Sequence, residues 1–285
     1  MTSQTFSIQT MNNADLEVAI SWASAEGWNP GLEDAQSFLQ ADPNGFFIGK
    51  LGDTPIACVS AIKYSNAFGF VGFYICESAY RGKGYGIALW NHAFDYLKNC
   101  KTIGLDGVVD QQENYKKSGF DFAHRNIRHS GLSMIDTPMD PRLCTLGLGL
   151  FPSVRDFDRS HFPDERLAFL KSWCAPMVQT RRGFGFVEDG DLKGYGVLRQ
   201  CEDGFKIGPL FSETPEVADT LFRALAGQVK GQTVILDTPE PNAAALDLAE
   251  RYELSPAFET ARMYKGPAPA LPLDETYGIT TFELG

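Results

Sequence analysis

Residues 81–86, RGKGYG, set two cations among three glycines immediately ahead of GIALWNHAFDYL, a stretch with the composition of a helix. The first turn of a helix carries unpaired N–H groups and a partial positive charge. Gly82, Gly84 and Gly86 leave no side chain between those N–H groups and an oxyanion, while Arg81 and Lys83 add charge. The turn therefore reads as a cradle for a phosphate or pyrophosphate. It is not a dinucleotide fingerprint, because the spacing is G-x-G-x-G, Leu89 follows, and the motif comes after a late strand. Nor is it a Walker loop, since no Gly-Lys-Ser/Thr closes it.

The elements that must position this turn emerge from an internal repeat. GFFIGKLGDTPIACVSAI (45–62) and GFGFVEDGDLKGYGVLRQ (183–200) each read as two strands about a Gly-Asp turn, a β-hairpin. GFVGFYICES (69–78) answers GFKIGPLFSE (204–213), and a helical pattern follows each, over 86–99 and 215–229. In the first of these helices Trp90, Ala93, Phe94 and Leu97 share one face. IGLDGV (103–108) then answers VILDTP (234–239), and GFDFAHRNIRHSG (119–131) answers AFETARMYKG (257–266) as a closing strand. The paired segments start 131 to 138 residues apart, so only loop lengths differ between the halves.

The run between the halves, 132–154, holds Pro138, Pro141 and Pro152, which suit a connection better than a strand interior. This predicts an N-terminal domain over 1–135 and a C-terminal domain over 145–285. Each reads as an α/β (α+β) unit with a mixed sheet flanked by helices.

Composition narrows the partners. Of the 285 residues 44% are hydrophobic and 21% charged, as in a soluble globular chain, and the net charge of -11 argues against nucleic acid as a ligand. Six scattered cysteines form no CxxC pair, and His92, His124, His129 and His161 are dispersed, so no metal site is expected. The N-terminal stretch lacks the basic start and apolar run of a signal peptide, and no run reaches membrane-spanning length, which predicts a cytoplasmic protein with no membrane partner. The chain is expected to act as a monomer or homodimer.

On RGKGYG and the surrounding order of elements, the sequence resembles the GNAT superfamily of N-acetyltransferases. That family's signature, Arg/Gln-x-x-Gly-x-Gly/Ala, is matched at every defined position by Arg81, Gly84 and Gly86. The resemblance implies two tandem GNAT-like domains, each with a mostly antiparallel sheet, and acetyl-CoA as co-substrate. Residues 81–86, including Tyr85, would hold its pyrophosphate. The strand before the turn would splay from its neighbour, freeing backbone groups at Ile75 and Cys76 for the pantetheine arm. NYKKSGF (114–120) is similar to the family's Tyr-x-x-x-Gly-Phe ending, which places Tyr115 beside the sulfur as the acid that protonates the leaving thiolate. The family's asparagine seven residues earlier is replaced by Val108, and Gln111, Gln112 or Asn114 stands in for that cofactor contact.

An amine attacks only when neutral, and a lysine-like amine has a pKa of about 10.4, so a base is required. Glu77 beside the turn and Glu26 in the loop EGWNPG (26–31) are the two candidates, and each also suits a surface or structural role. Trp28 and Asn29 in that loop are candidates to line the acceptor pocket, with an ordinary core anchor as the alternative for the tryptophan.

The second half departs from the pattern. Glu213, Glu216 and Asp219 stand where a phosphate would sit, and Ala249 replaces the tyrosine, although Asn242 and Ala245 keep an Asn-x-x-Ala. The sequence thus predicts an acetyl-CoA-dependent N-acetyltransferase acting on a small-molecule amine by direct attack in a ternary complex, with a degenerate second domain shaping the cleft. The alternative is a non-catalytic acyl-CoA sensor.

Overall fold

A computed structural model describes residues 5–174 and 179–285. The first half runs β1 (Phe6–Thr10), α1 (Asn13–Ala25), α2 (Asp34–Ala41), β2 (Phe46–Leu51), β3 (Thr54–Lys63), β4 (Phe68–Cys76), α3 (Tyr85–Tyr96), β5 (Thr102–Val108), α4 (Gln112–Lys117) and β6 (Asp121–Leu132). The second runs β7 (Leu143–Thr145), α5 (Phe151–His161), α6 (Leu167–Cys174), β8 (Arg181–Glu188), β9 (Asp191–Gln200), β10 (Phe205–Ser212), α7 (Pro215–Ala226), β11 (Thr233–Pro239), α8 (Ala243–Arg251), β12 (Ser255–Lys265) and β13 (Thr276–Gly278). All four repeat matches fall on corresponding elements.

Local chemistry explains the boundaries. Asn12 and Asp15 cap α1 reciprocally, a capping box. Thr214 caps α7, with Pro215 in the first turn where its missing N–H is no loss. Pro152 likewise opens α5 rather than lying in a loop, and the connection after Pro141 contains the short strand β7 against β8. Along α3 and its C-cap, Trp90, Ala93 and Leu97 are buried, as the spacing predicts, and Leu89 is buried as well, whereas Phe94 is only half-buried.

The strands join in one sheet, ordered β1-β2-β3-β4-β5-β12-β6-β11-β10-β9-β8-β7, with β13 beside β10. Only β4–β5 and β10–β11 are parallel among these pairs. The closing strands are exchanged. The second half's β12 lies between β5 and β6, and the first half's β6 pairs with β11, so each half completes the other's sheet. Hydrophobic pattern specifies which face of a strand is buried and not which neighbour it takes, so the exchange leaves no mark on the sequence.

Buried ion pairs fix the halves to each other. The Asp34 carboxylate in α2 accepts from Arg181 Nη2 at 3.1 Å and from Arg199 Nη1, both in the second half's hairpin. Their guanidinium groups lie 4.2 and 4.7 Å from the centroid of the buried Trp173 ring. Arg128 in β6 forms a two-pronged pair with Asp237 in β11, at 2.8 and 2.9 Å.

The exchanged seam should be sensitive to acid. His124 in β6, opposite Arg262 in β12, is held down to about 4 by burial and then by the Arg262 charge. A free histidine titrates near 6.5, so between these values the unfolded chain binds more protons than the folded one. Stability should therefore fall by on the order of 2–3 kcal/mol as pH drops from about 6.5 to about 4. Urea unfolding across that range should show a flatter dependence for His124→Gln, and identical slopes would remove His124 as the cause.

Candidate active site

The site is set by where β4 and β5 stop pairing. They pair from Phe68↔Thr102 to Val71↔Leu105, after which Gly72–Cys76 separates from β5 while still following β3. A register shift against β3 and the left-handed φ of 47° at Phe73 turn the strand at this point. The V-shaped opening is the mouth of a cleft of about 780 Å³. Ile75 and Cys76 line it on the β4 side, as the splayed strand expected from the sequence requires.

At the end of β4 the chain enters the glycine turn. Gly82 and Gly84 adopt φ of 75° and 88°, which disfavours any residue with a side chain. Both line the cleft, and a Cβ at either would project into open space, the space a ligand's phosphates would take. Gly84 caps α3 without a side-chain bond, and Ala88 is the first residue whose N–H reaches back to it, so the turn before Ala88 can face an anion. These features fit an acyl-CoA pyrophosphate. Gly86 serves a different purpose, because a Cβ there would stand 2.9 Å from Tyr74 Oη.

Opposite the turn, an aromatic wall holds Tyr115. Its ring stacks on Trp90 at 5.7 Å, and Trp90 lies 5.1 Å from Tyr74. Gly107 in β5 permits this arrangement, since a Cβ at that position would lie 2.7 Å from Tyr115 Cδ2. Burial, then the neighbouring Tyr74, pushes the Tyr115 phenol up to about 12, so it stays protonated at neutral pH. Tyr74 and Gly107 are cleft residues the sequence reading passed over, and Trp90 was read only as core. The available signal was Gly107 itself, a glycine inside a strand that marks a close approach.

The remaining predicted residues divide between the cleft and its surroundings. Arg81, Glu26 and Trp28 line the cleft. Arg81 Nη2 donates to Glu26 at 2.8 Å and its Nε to the Cys76 carbonyl at 2.8 Å, tying the loop 26–31 to the turn. Glu77, Lys83, Tyr85, Asn114 and Asn29 are outside the lining. Lys83 Nζ donates to the Ala79 carbonyl at 2.8 Å, and the Tyr85 ring packs 4.8 Å from Phe6. Glu77 N–H donates to the Ile56 carbonyl, and Asn114 donates to Gln111, which lines the cleft together with Val108. Asn29 is buried and exchanges hydrogen bonds with the Asp203 backbone, and Lys206 Nζ donates to the carbonyls of Trp28 and Asn29 at 3.2 and 2.8 Å. The second half thus clamps the backbone that presents Trp28.

In the second half the corresponding opening is filled. β10 pairs with β11 only from Phe205 to Ile207, and beyond it β13 pairs with β10 at Leu210↔Gly278 and Phe211↔Thr276. Asn242 caps α8 and donates to the Asp274 and Thr276 carbonyls at 3.1 and 2.9 Å, so it secures the filling strand. From β13 the chain runs on to the first half, where Phe282 and Glu283 line the deep end of the cleft and Glu283 O lies against Gly72.

Among the described residues no group of three or more His, Cys, Asp or Glu is placed to hold a metal, and no helix is long and apolar enough to cross a membrane.

Comparison with known proteins agrees with this geometry. Residues 13–120 match the acetyltransferase (GNAT) family and residues 154–278 an acetyltransferase (GNAT) domain. The chain is 32% identical over 287 residues to a protein named holothin acyltransferase from a Pseudoalteromonas species, covering 99% of this chain and 95% of the relative. A putative acetyltransferase from Pyrococcus horikoshii has the same fold, with a TM-score of 0.81 at 23% identity over 100% of this chain and 98% of that one. A tandem GNAT protein from the clavulanic acid biosynthesis pathway aligns with a TM-score of 0.62 at 14% identity, over 93% and 100% of the two chains.

Proposed function

Since the chain belongs to the GNAT acetyltransferase family and is an acyltransferase, we propose that it transfers an acetyl group from acetyl-CoA to the amine of a small molecule. The observation that carries this reading is the contrast between the two halves: one strand opening is free and ends at a bare glycine turn, and the other is filled by β13. One acyl-CoA per chain follows, held by the first half.

Bound acetyl-CoA supplies an activated thioester. The backbone of Gly82, Gly84 and Gly86, with the Arg81 side chain, would hold its pyrophosphate, while Lys83, bonded to the Ala79 carbonyl, would add charge from outside the lining, and the free edge at Ile75 and Cys76 would hold its pantetheine arm. Tyr115 would donate the phenolic proton to the departing sulfur, and its pKa keeps that proton in place at neutral pH until the thiolate leaves. Trp28 would contact the acceptor, with Asn29 fixing that loop through Asp203. Of the two carboxylates picked out as bases, Glu26 lies at the cleft mouth and Glu77 outside the lining. The name of the Pseudoalteromonas relative makes holothin the first acceptor to test.

Calorimetric titration of acetyl-CoA tests the reading. The parent should bind one equivalent, and Gly84→Glu should bind on the order of 30-fold more weakly, because it sets a carboxylate against phosphate. No binding to the parent would sink the proposal, and two equivalents would mean that the filled opening also takes ligand.

A further inference from the structure

At the deep end of the cleft the residues change character. Glu283, 2% exposed, and Thr260, 2% exposed on the exchanged strand β12, both line it. Glu283 Oε1 and Thr260 Oγ1 are buried and make no hydrogen bond with the protein. Buried polar atoms are ordinarily satisfied, so two such atoms in one chamber mark a place that a ligand's polar group completes. The other acid there, Asp106, is already bonded by Arg262 and Asn126. Phe258 and Phe282, with ring centroids 6.0 Å apart, and Trp28 supply apolar wall.

Resting on the acetyltransferase reading above, we propose that Glu283, assisted by Thr260, receives the acceptor's amino group, and that the acceptor carries this amine on a flat, unsaturated body held against Phe258, Phe282 and Trp28. An ammonium nitrogen docked there gives one proton to the Glu283 carboxylate. One N–H bond breaks, one O–H bond forms, the two charges cancel, and the nitrogen keeps the electron pair with which it attacks. The carboxylic acid returns the proton to water when the product leaves. Burial raises the Glu283 carboxyl above the usual range, against the pull of Lys206, Arg199 and Arg128 and with the push of Asp34, which brings it closer to its amine partner.

Ligand-observed NMR titration of the full chain tests the assignment, with benzylammonium chloride and the uncharged benzyl alcohol as probes. The parent should bind the ammonium about tenfold more tightly than the alcohol, and Glu283→Gln should lose that preference while still binding the alcohol. Equal binding of both probes by the parent, or a preference that survives Glu283→Gln, overturns the proposal. Should Glu283→Gln not fold, Glu26→Gln decides, because loss of the preference there would assign it to the cleft mouth. Acetyl-CoA titration of the same samples separates the two readings: failure of the parent to bind it strikes the acetyltransferase proposal, whatever the amine probes do.

Discussion

Tyr115→Phe lowers turnover roughly 10²- to 10⁴-fold, the range that general acid catalysis supplies, and leaves acetyl-CoA affinity nearly unchanged. The ring keeps its stack on Trp90, so only the proton is lost. Gly107→Ala provides an independent arm. Its methyl would collide with the Tyr115 ring while keeping the phenol, and it should reproduce part of the defect. Steady-state rates with calorimetric affinities distinguish the outcomes. Parental turnover in Tyr115→Phe would remove the phenol from the reaction, and a raised KM with unchanged kcat would make it a binding group instead.

Asp34→Ala destabilises the protein by about 3–5 kcal/mol, because it strands the Arg181 and Arg199 guanidinium groups inside the molecule without a carboxylate. That is a large share of the roughly 5–15 kcal/mol by which a folded domain is stable. The same carboxylate accepts the Gly31 N–H at 2.8 Å, so the loop carrying Trp28 loosens as well. Urea midpoints report the loss, and Asp34→Asn, which keeps an acceptor oxygen, should fall between variant and parent. An unchanged midpoint for Asp34→Ala would show that water reaches the two arginines.

How much of this was legible depended on whether the information was local. The hairpins β2–β3 and β8–β9 follow from turn residues and strand composition a few positions apart, and the glycine turn was readable because its use of Gly82 and Gly84 is a backbone requirement. Tyr115 was reachable through a short motif. Glu283 was not, since only the path of the last residues past β13 brings it to a cleft built around residues 72–115. Asn29 lies outside the lining because its partner is a backbone 174 residues away. Asn242, read only as part of a retained Asn-x-x-Ala, secures the strand that fills the second opening. In each of these cases the deciding neighbour is distant in sequence and carries no local pattern.

The exchange of β6 and β12 also sets an order of events at the ribosome. A chain emerging from its N-terminus exposes β5 and β6 long before residues 255–265 exist to lie between them. Throughout that interval two strand edges stand unpaired, the condition under which sheets recruit strangers. A cut between the halves therefore yields two fragments, each carrying a strand that the other's sheet lacks.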